Sequence, residues 1–229
     1  DPAGRGAAAT PAALALRHRA ALAPPTGRGP ATWPPALPDP APDQPGLPEL
    51  SPTDLSVDRV CGGLLHHGAV VVRGLVACDD AAELADGVDR AFAAADRWLA
   101  DRSADVAPWF HRFPSDNPTL GNLRRWVRDS GAVWAAECPP VAGRVLALYA
   151  AAGLRPLLTE YFGERPALSV NKFTLRRAAP SANPTWHQDG AFLGDGVRSV
   201  NVWVTLTDCG GDEPVPALDL VPTRIDDIL

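Results

Sequence analysis

The stretch Arg198-Ser199-Val200-Asn201-Val202-Trp203-Val204-Thr205-Leu206-Thr207-Asp208 alternates along its length. Val200, Val202, Val204 and Leu206 fall on one side, and Ser199, Asn201, Trp203 and Thr205 on the other. Successive side chains of a strand point to opposite faces, so this two-residue period predicts a β-strand with one aliphatic and one polar face. A half-buried strand ordinarily wets its polar face. Placing Trp203 there predicts that this face lines a cavity instead of bulk water.

Outward from this run the strand pattern continues. Ala167 to Arg176 and Thr185 to Gln188 read as strands before it, and Ala217 to Val221 as a short strand after it. Upstream of Pro166 the period is helical. Ser51-Pro52-Thr53-Asp54 reads as a capping box with proline at the first helical position. Leu55, Val57, Val60, Leu64 and Leu65 carry that helical spacing to Gly68, and Ala69 to Arg73 is a short β-branched strand. Asp79 opens a long helix to about Ser103, with Leu84, Val88, Phe92, Ala95 and Leu99 along one stripe. Pro139 to about Ala152 and Leu154 to Phe162 complete the helical part. Helices first and strands later predict an α+β domain over 51–229, helical over 51–163 with strands from 166. Trp109, Phe110 and Phe113 in the polar segment 104–122 read as core packing, with a lid over a cleft as the second option.

Residues 1–50 differ in kind. Thirteen of the 25 prolines lie at or before Pro52, among Ala, Gly and Asp, a composition that favours extended solvated backbone. The expectation is a Pro/Ala-rich disordered leader. The sequence contains no methionine and stops at Leu229 in what reads as the start of a helix, which predicts a piece of a longer product. A formal charge of −6 without a basic, aromatic-interleaved cluster argues against a nucleic-acid partner. No apolar run approaches a membrane span. The four cysteines, Cys61, Cys78, Cys138 and Cys209, include no C-x-x-C pair and read as free thiols of a cytoplasmic protein.

Just ahead of the alternating run stands Trp186-His187-Gln188-Asp189-Gly190. His-x-Asp on a strand edge sets an imidazole and a carboxylate on one side of the backbone. These are two of the three ligands of the facial triad that holds non-haem Fe(II) and leaves positions open. On its own the pair also fits a surface turn that ends a strand.

The runs around it carry more. Asn171 to Arg177, Trp186 to Gly194, Asn201 to Val204, Asp208-Cys209-Gly210 and Leu218 to Pro222 together resemble the phytanoyl-CoA dioxygenase family, with Arg124 to Val127 and Glu160 to Glu164 similar to its bacterial members. The resemblance spans about 55–229 and is densest from 160 onward. It implies a double-stranded β-helix (a jelly-roll, cupin-like fold) with flanking N-terminal helices, incomplete at the C-terminus. It implies an Fe(II)- and 2-oxoglutarate-dependent dioxygenase that uses molecular oxygen to hydroxylate a small-molecule substrate. His187 and Asp189 would be the first two iron ligands, and Gln188, Trp203, Leu168 and Asn171 would border 2-oxoglutarate. In halogenating relatives a small residue replaces the carboxylate, so Asp189 implies hydroxylation.

The family's distal iron-binding His and its 2-oxoglutarate-binding Arg come on later strands, expected beyond Leu229. His18, His66, His67 and His111 precede the strand region and read as ordinary surface or core histidines. Two other readings stand beside the oxygenase. One is a catalytically inactive fragment or non-catalytic binding module of the same fold. The other is a cupin-like zinc hydrolase, disfavoured because no further His or Cys lies near the pair.

Overall fold

A computed structural model describes residues 10–21, 32–113, 120–178, 186–189, 197–213 and 215–225. In chain order its elements are α1 (Pro11–Ala21), β1 (Glu49–Leu50), α2 (Gly62–His67), β2 (Val71–Val72), α3 (Cys78–Ala100), α4 (Leu120–Asp129), β3 (Ala132–Trp134), α5 (Pro139–Ala151), α6 (Leu154–Phe162) and β4 (Thr174–Arg176). The chain divides into two compact units. One comprises Asp1–Pro24, Cys78–Ala151 and Ala167–Ala179; the other comprises Pro25–Ala77, Ala152–Pro166 and Pro180–Leu229.

In the first unit α3 buries Leu84, Val88, Ala91, Phe92 and Ala95, the stripe that a 3.6-residue period lays down one side of a helix. Gly87 lies on the same helix, and a Cβ there would stand 3.3 Å from Val141 Cγ2 of α5. The missing side chain lets α3 and α5 approach closely, and Arg144 pairs with Glu83 across them. β3 and β4 pair antiparallel, with Val133 opposite Leu175, and Trp134 is 2% exposed between them and the core. The strand expected over 167–176 is therefore shorter: Val170–Lys172 form a 3-10 turn and only Thr174–Arg176 join a ladder.

Phe110 and Phe113 are buried, as core packing requires, and Arg90 lies over the Trp109 ring at 5.2 Å. Glu137, also buried, accepts from Arg124 Nε at 2.8 Å and from the Phe113 N–H at 3.2 Å. A buried carboxylate persists when its lone pairs are met in this way. The helix α1 adds Leu14 to this core, and the His18 ring stands edge-on to Phe113.

The second unit gathers Leu50, Val60, Cys61, Leu157, Tyr161 and Phe162. Here residues 32–50 depart from the disordered leader expected of them, and 10–21 depart likewise as α1. Trp33 and Leu37 pack on this core, Pro48 is fully buried, and Glu49–Leu50 pair in parallel with Val71–Val72. The proline count set the expectation, but apolar side chains at Trp33, Leu37 and Leu50 supply buried area that composition averages away. Two glycines make room. A Cβ on Gly62 would meet Pro38 O at 2.4 Å, and one on Gly63 would meet Val70 Cγ1 at 2.3 Å. His67, 8% exposed, fastens the same segment: Nδ1–H donates to Gly46 O at 3.0 Å, and Nε2 lies 2.9 Å from Asp39 Oδ1. The Ala41 N–H, ahead of His67, holds the Asp39 carboxyl below its usual range.

The capping box forms. Pro52–Asp54 make a 3-10 turn, and the Asp54 carboxylate accepts from the Ser51 N–H at 3.0 Å and from its hydroxyl at 2.6 Å. Those two donors hold Asp54 below the ordinary carboxylate range. A π turn, Val57–Cys61, then leads into α2, which ends at Gly68 with φ +76°, a conformation glycine adopts without steric cost.

The strands expected at 186–188, 198–208 and 217–221 have no ladder partner among the described residues, and their backbone carries no strand assignment. Thr185 lies outside the described residues. A strand is defined by its neighbour, and alternation alone does not name that neighbour. The two described sheets have two strands each. Among the described residues no single helix is long and apolar enough to cross a membrane.

Candidate functional site

The predicted residues divide between the two units. Leu168 and Asn171 belong to the first, Leu168 41% exposed just ahead of the Val170–Lys172 turn in which Asn171 sits. His187, Gln188, Asp189 and Trp203 belong to the second. Residues 190–194, which follow the pair in sequence, lie outside the described residues.

Within the second unit His187 and Asp189 lie side by side. His187 Nε2 stands 3.4 Å from Asp189 Oδ1. Two donors each about 2.1 Å from one ion can span that separation in adjacent coordination positions. The donor types, imidazole nitrogen and carboxylate oxygen, suit Fe(II) as well as zinc. Both side chains are more than half exposed. Among the described residues no group of three or more His, Cys, Asp or Glu is placed to hold a metal ion. The pair fits a metal in kind and separation, and among the described residues no third ligand joins it.

Asn201 completes the described arrangement. Its side-chain amide donates to Asp189 Oδ2, tying the alternating run to the His-x-Asp turn. The sequence had placed Asn201 on the polar face with Trp203 but had given it no role. No family model, curated protein or solved structure matches this chain.

The alternating run keeps part of its expected sidedness. Val200 packs on the second unit's core, and Val204 and Leu206 are half-buried, while Ser199, Asn201, Trp203 and Thr205 are exposed. Val202 breaks the pattern at 41% exposed, and Trp203 is 54% exposed. The described residues therefore do not enclose the polar face in a cavity. The cavity found in this unit, about 370 Å³, is lined by Leu55, Val57, Asp58, Pro156, Leu157 and Glu160, among others, and by none of the predicted site residues. Its two carboxylates, Asp58 and Glu160, would repel an anionic co-substrate. Of the other histidines, His66 Nε2 is 3.0 Å from Leu37 O, and His67 is the core clasp described above.

Proposed function

We propose that this chain carries the first two metal ligands, His187 and Asp189, of an Fe(II)- and 2-oxoglutarate-dependent dioxygenase that hydroxylates a small molecule on a jelly-roll framework. The observation that supports this reading is the 3.4 Å approach of His187 Nε2 to Asp189 Oδ1, within runs that resemble the phytanoyl-CoA dioxygenase family. Bound there, Fe(II) would supply the redox chemistry that couples oxygen and 2-oxoglutarate consumption to hydroxylation. His187 offers one neutral nitrogen and Asp189 one anionic oxygen, which leaves the rest of the coordination sphere to a third ligand and the co-substrates. Gln188, Trp203, Leu168 and Asn171 are the residues proposed to border 2-oxoglutarate. The distal His and the Arg that would pair with the 2-oxoglutarate carboxylate are assigned to later strands. Free rather than paired cysteines favour the cytoplasm as the compartment.

A second reading has an observation of its own. With no three-ligand group among the described residues, the chain could be a binding module or inactive relative of the same fold. Turnover separates the two. The full-length product that carries this sequence should convert 2-oxoglutarate to succinate only with Fe(II) and oxygen, and His187→Ala should abolish the conversion. Succinate formation indifferent to His187, or none with any supplied metal, would favour the binding module.

A further inference from the structure

We infer that Asn201 is a positioning residue for Asp189, an inference that rests on the metal-binding reading of the His-x-Asp pair. Three features carry it. The Asn201 amide donates to Oδ2 of Asp189, while Oδ1 is the oxygen that faces His187 Nε2. One carboxylate oxygen is thus engaged by the protein and the other is turned toward the imidazole, which suits a carboxylate that ligates through a single oxygen. The three side chains are exposed, so burial does not fix the Asp189 rotamer and a local hydrogen bond has that task. Finally, the donor comes from a separate segment twelve residues along the chain, whose neighbour Val200 is half-buried and packs against the second unit's core. Through Asn201 that segment reaches the flanking turn.

The chemistry favours an amide over other residues at this position. A lysine or arginine would neutralise the carboxylate and compete with a cation for it. A second carboxylate would accept where a donor is needed. An amide donates without net charge and leaves Asp189 its full anionic character for a metal. Hydrogen bonds of this kind to metal-ligating carboxylates hold them in orientation, and their removal costs metal affinity roughly 10–100-fold.

Asn201→Leu keeps the shape of the side chain and deletes the donor. Co(II) binding to the full-length product, followed by calorimetry and by the visible ligand-field bands, should weaken by about 10–100-fold in this variant. The bands should also change in intensity, because a released carboxylate is free to alter its binding mode. Asn201→Gln, which keeps an amide donor, should recover much of the affinity and the wild-type bands. Circular dichroism and melting of both variants should match wild type, since the residue is exposed. Should Asn201→Leu alter the fold, the side-chain amide signals of Asn201 in the wild-type protein give a second readout. They should shift on Zn(II) addition and stay still in His187→Ala. Wild-type affinity and bands in Asn201→Leu, with binding lost in His187→Ala and Asp189→Ala, would overturn the positioning role and leave the metal site standing. No metal binding by the wild type would overturn the site and the positioning role together.

Discussion

Two segments read as strands from the same alternating pattern, and they met different ends. Of the expected strand 167–176 in the first unit, residues 174–176 pair with Ala132–Trp134, with Ala135 N–H bonded to Phe173 O at 2.9 Å and Arg177 N–H to Gly131 O at 3.2 Å at the margins. Residues 198–208 of the second unit alternate more regularly and are longer, yet have no ladder among the described residues. Around the paired strand the large side chains Trp134, Phe173 and Leu175 are buried; along the later stretches Trp186, Val197, Val202, Trp203, Leu218, Leu220 and Val221 are exposed. In the described ladder the partner segment Ala132–Trp134 supplies the register. A ladder needs two chains in register, and only one of them is written in the local sequence.

The contrast breaks most visibly at the two tryptophans. Trp134→Ala should destabilise the protein by about 3–5 kcal/mol, because it removes a fully packed indole and the ring beneath Arg124. Trp203→Ala should change stability by less than about 0.5 kcal/mol, as exposed substitutions do. Urea unfolding of the two variants checks both, and a large loss at Trp203 would mean that its face is covered after all.

A smaller effect is expected where the proline-rich segment meets α2. Gly62→Ala places a methyl against the Pro38 carbonyl, a backbone atom that cannot rotate away, and should cost about 1–3 kcal/mol. Thermal melting reads this directly. No loss would return residues 32–50 to the disordered leader that their composition suggests.

The thiols sharpen the comparison further. Cys138 follows the paired β3 and is buried, whereas Cys209 follows the alternating run and is partly exposed, and Cys78 is exposed. At pH 8 a thiol reagent should label Cys78 and Cys209 well before Cys61 and Cys138. Burial, with the Glu160 and Glu137 charges adding to it, pushes the Cys61 and Cys138 thiols from the ordinary 9.0 up to about 12. Below pH 9 both thiols are protonated folded and unfolded, so their contribution to stability is complete. Between about 9 and 12 the unfolded chain releases protons that the folded chain retains. Stability should therefore fall by about 1.4 kcal/mol per pH unit for each thiol, once the pH is well above 9. Denaturation at pH 8.5 and 10.5 tests this, and Cys138→Ala should lessen the slope.

What was legible follows the same division. The α3 stripe, the Ser51–Asp54 box, the helices at 139–151 and 154–162 and the free cysteines rest on local spacing, which sequence carries. The pairing of β3 with β4 joins residues about 40 positions apart, and Ala132-Val133-Trp134 is too short to announce itself. Trp33 and Leu37 were hidden inside a proline count, because composition does not say which apolar side chains find a surface. At the candidate site the His187–Asp189 spacing was legible. The Asn201 bond was half-legible: alternation gave its face, but not its partner across the chain.

The central claim is that His187 and Asp189 ligate one metal ion. Anaerobic addition of Fe(II) and 2-oxoglutarate to the full-length product that carries this sequence tests it most directly. The expected result is the visible charge-transfer band of chelated 2-oxoglutarate, absent in His187→Ala and in Asp189→Ala. A band that survives both substitutions, or no band in the wild-type protein, would contradict it.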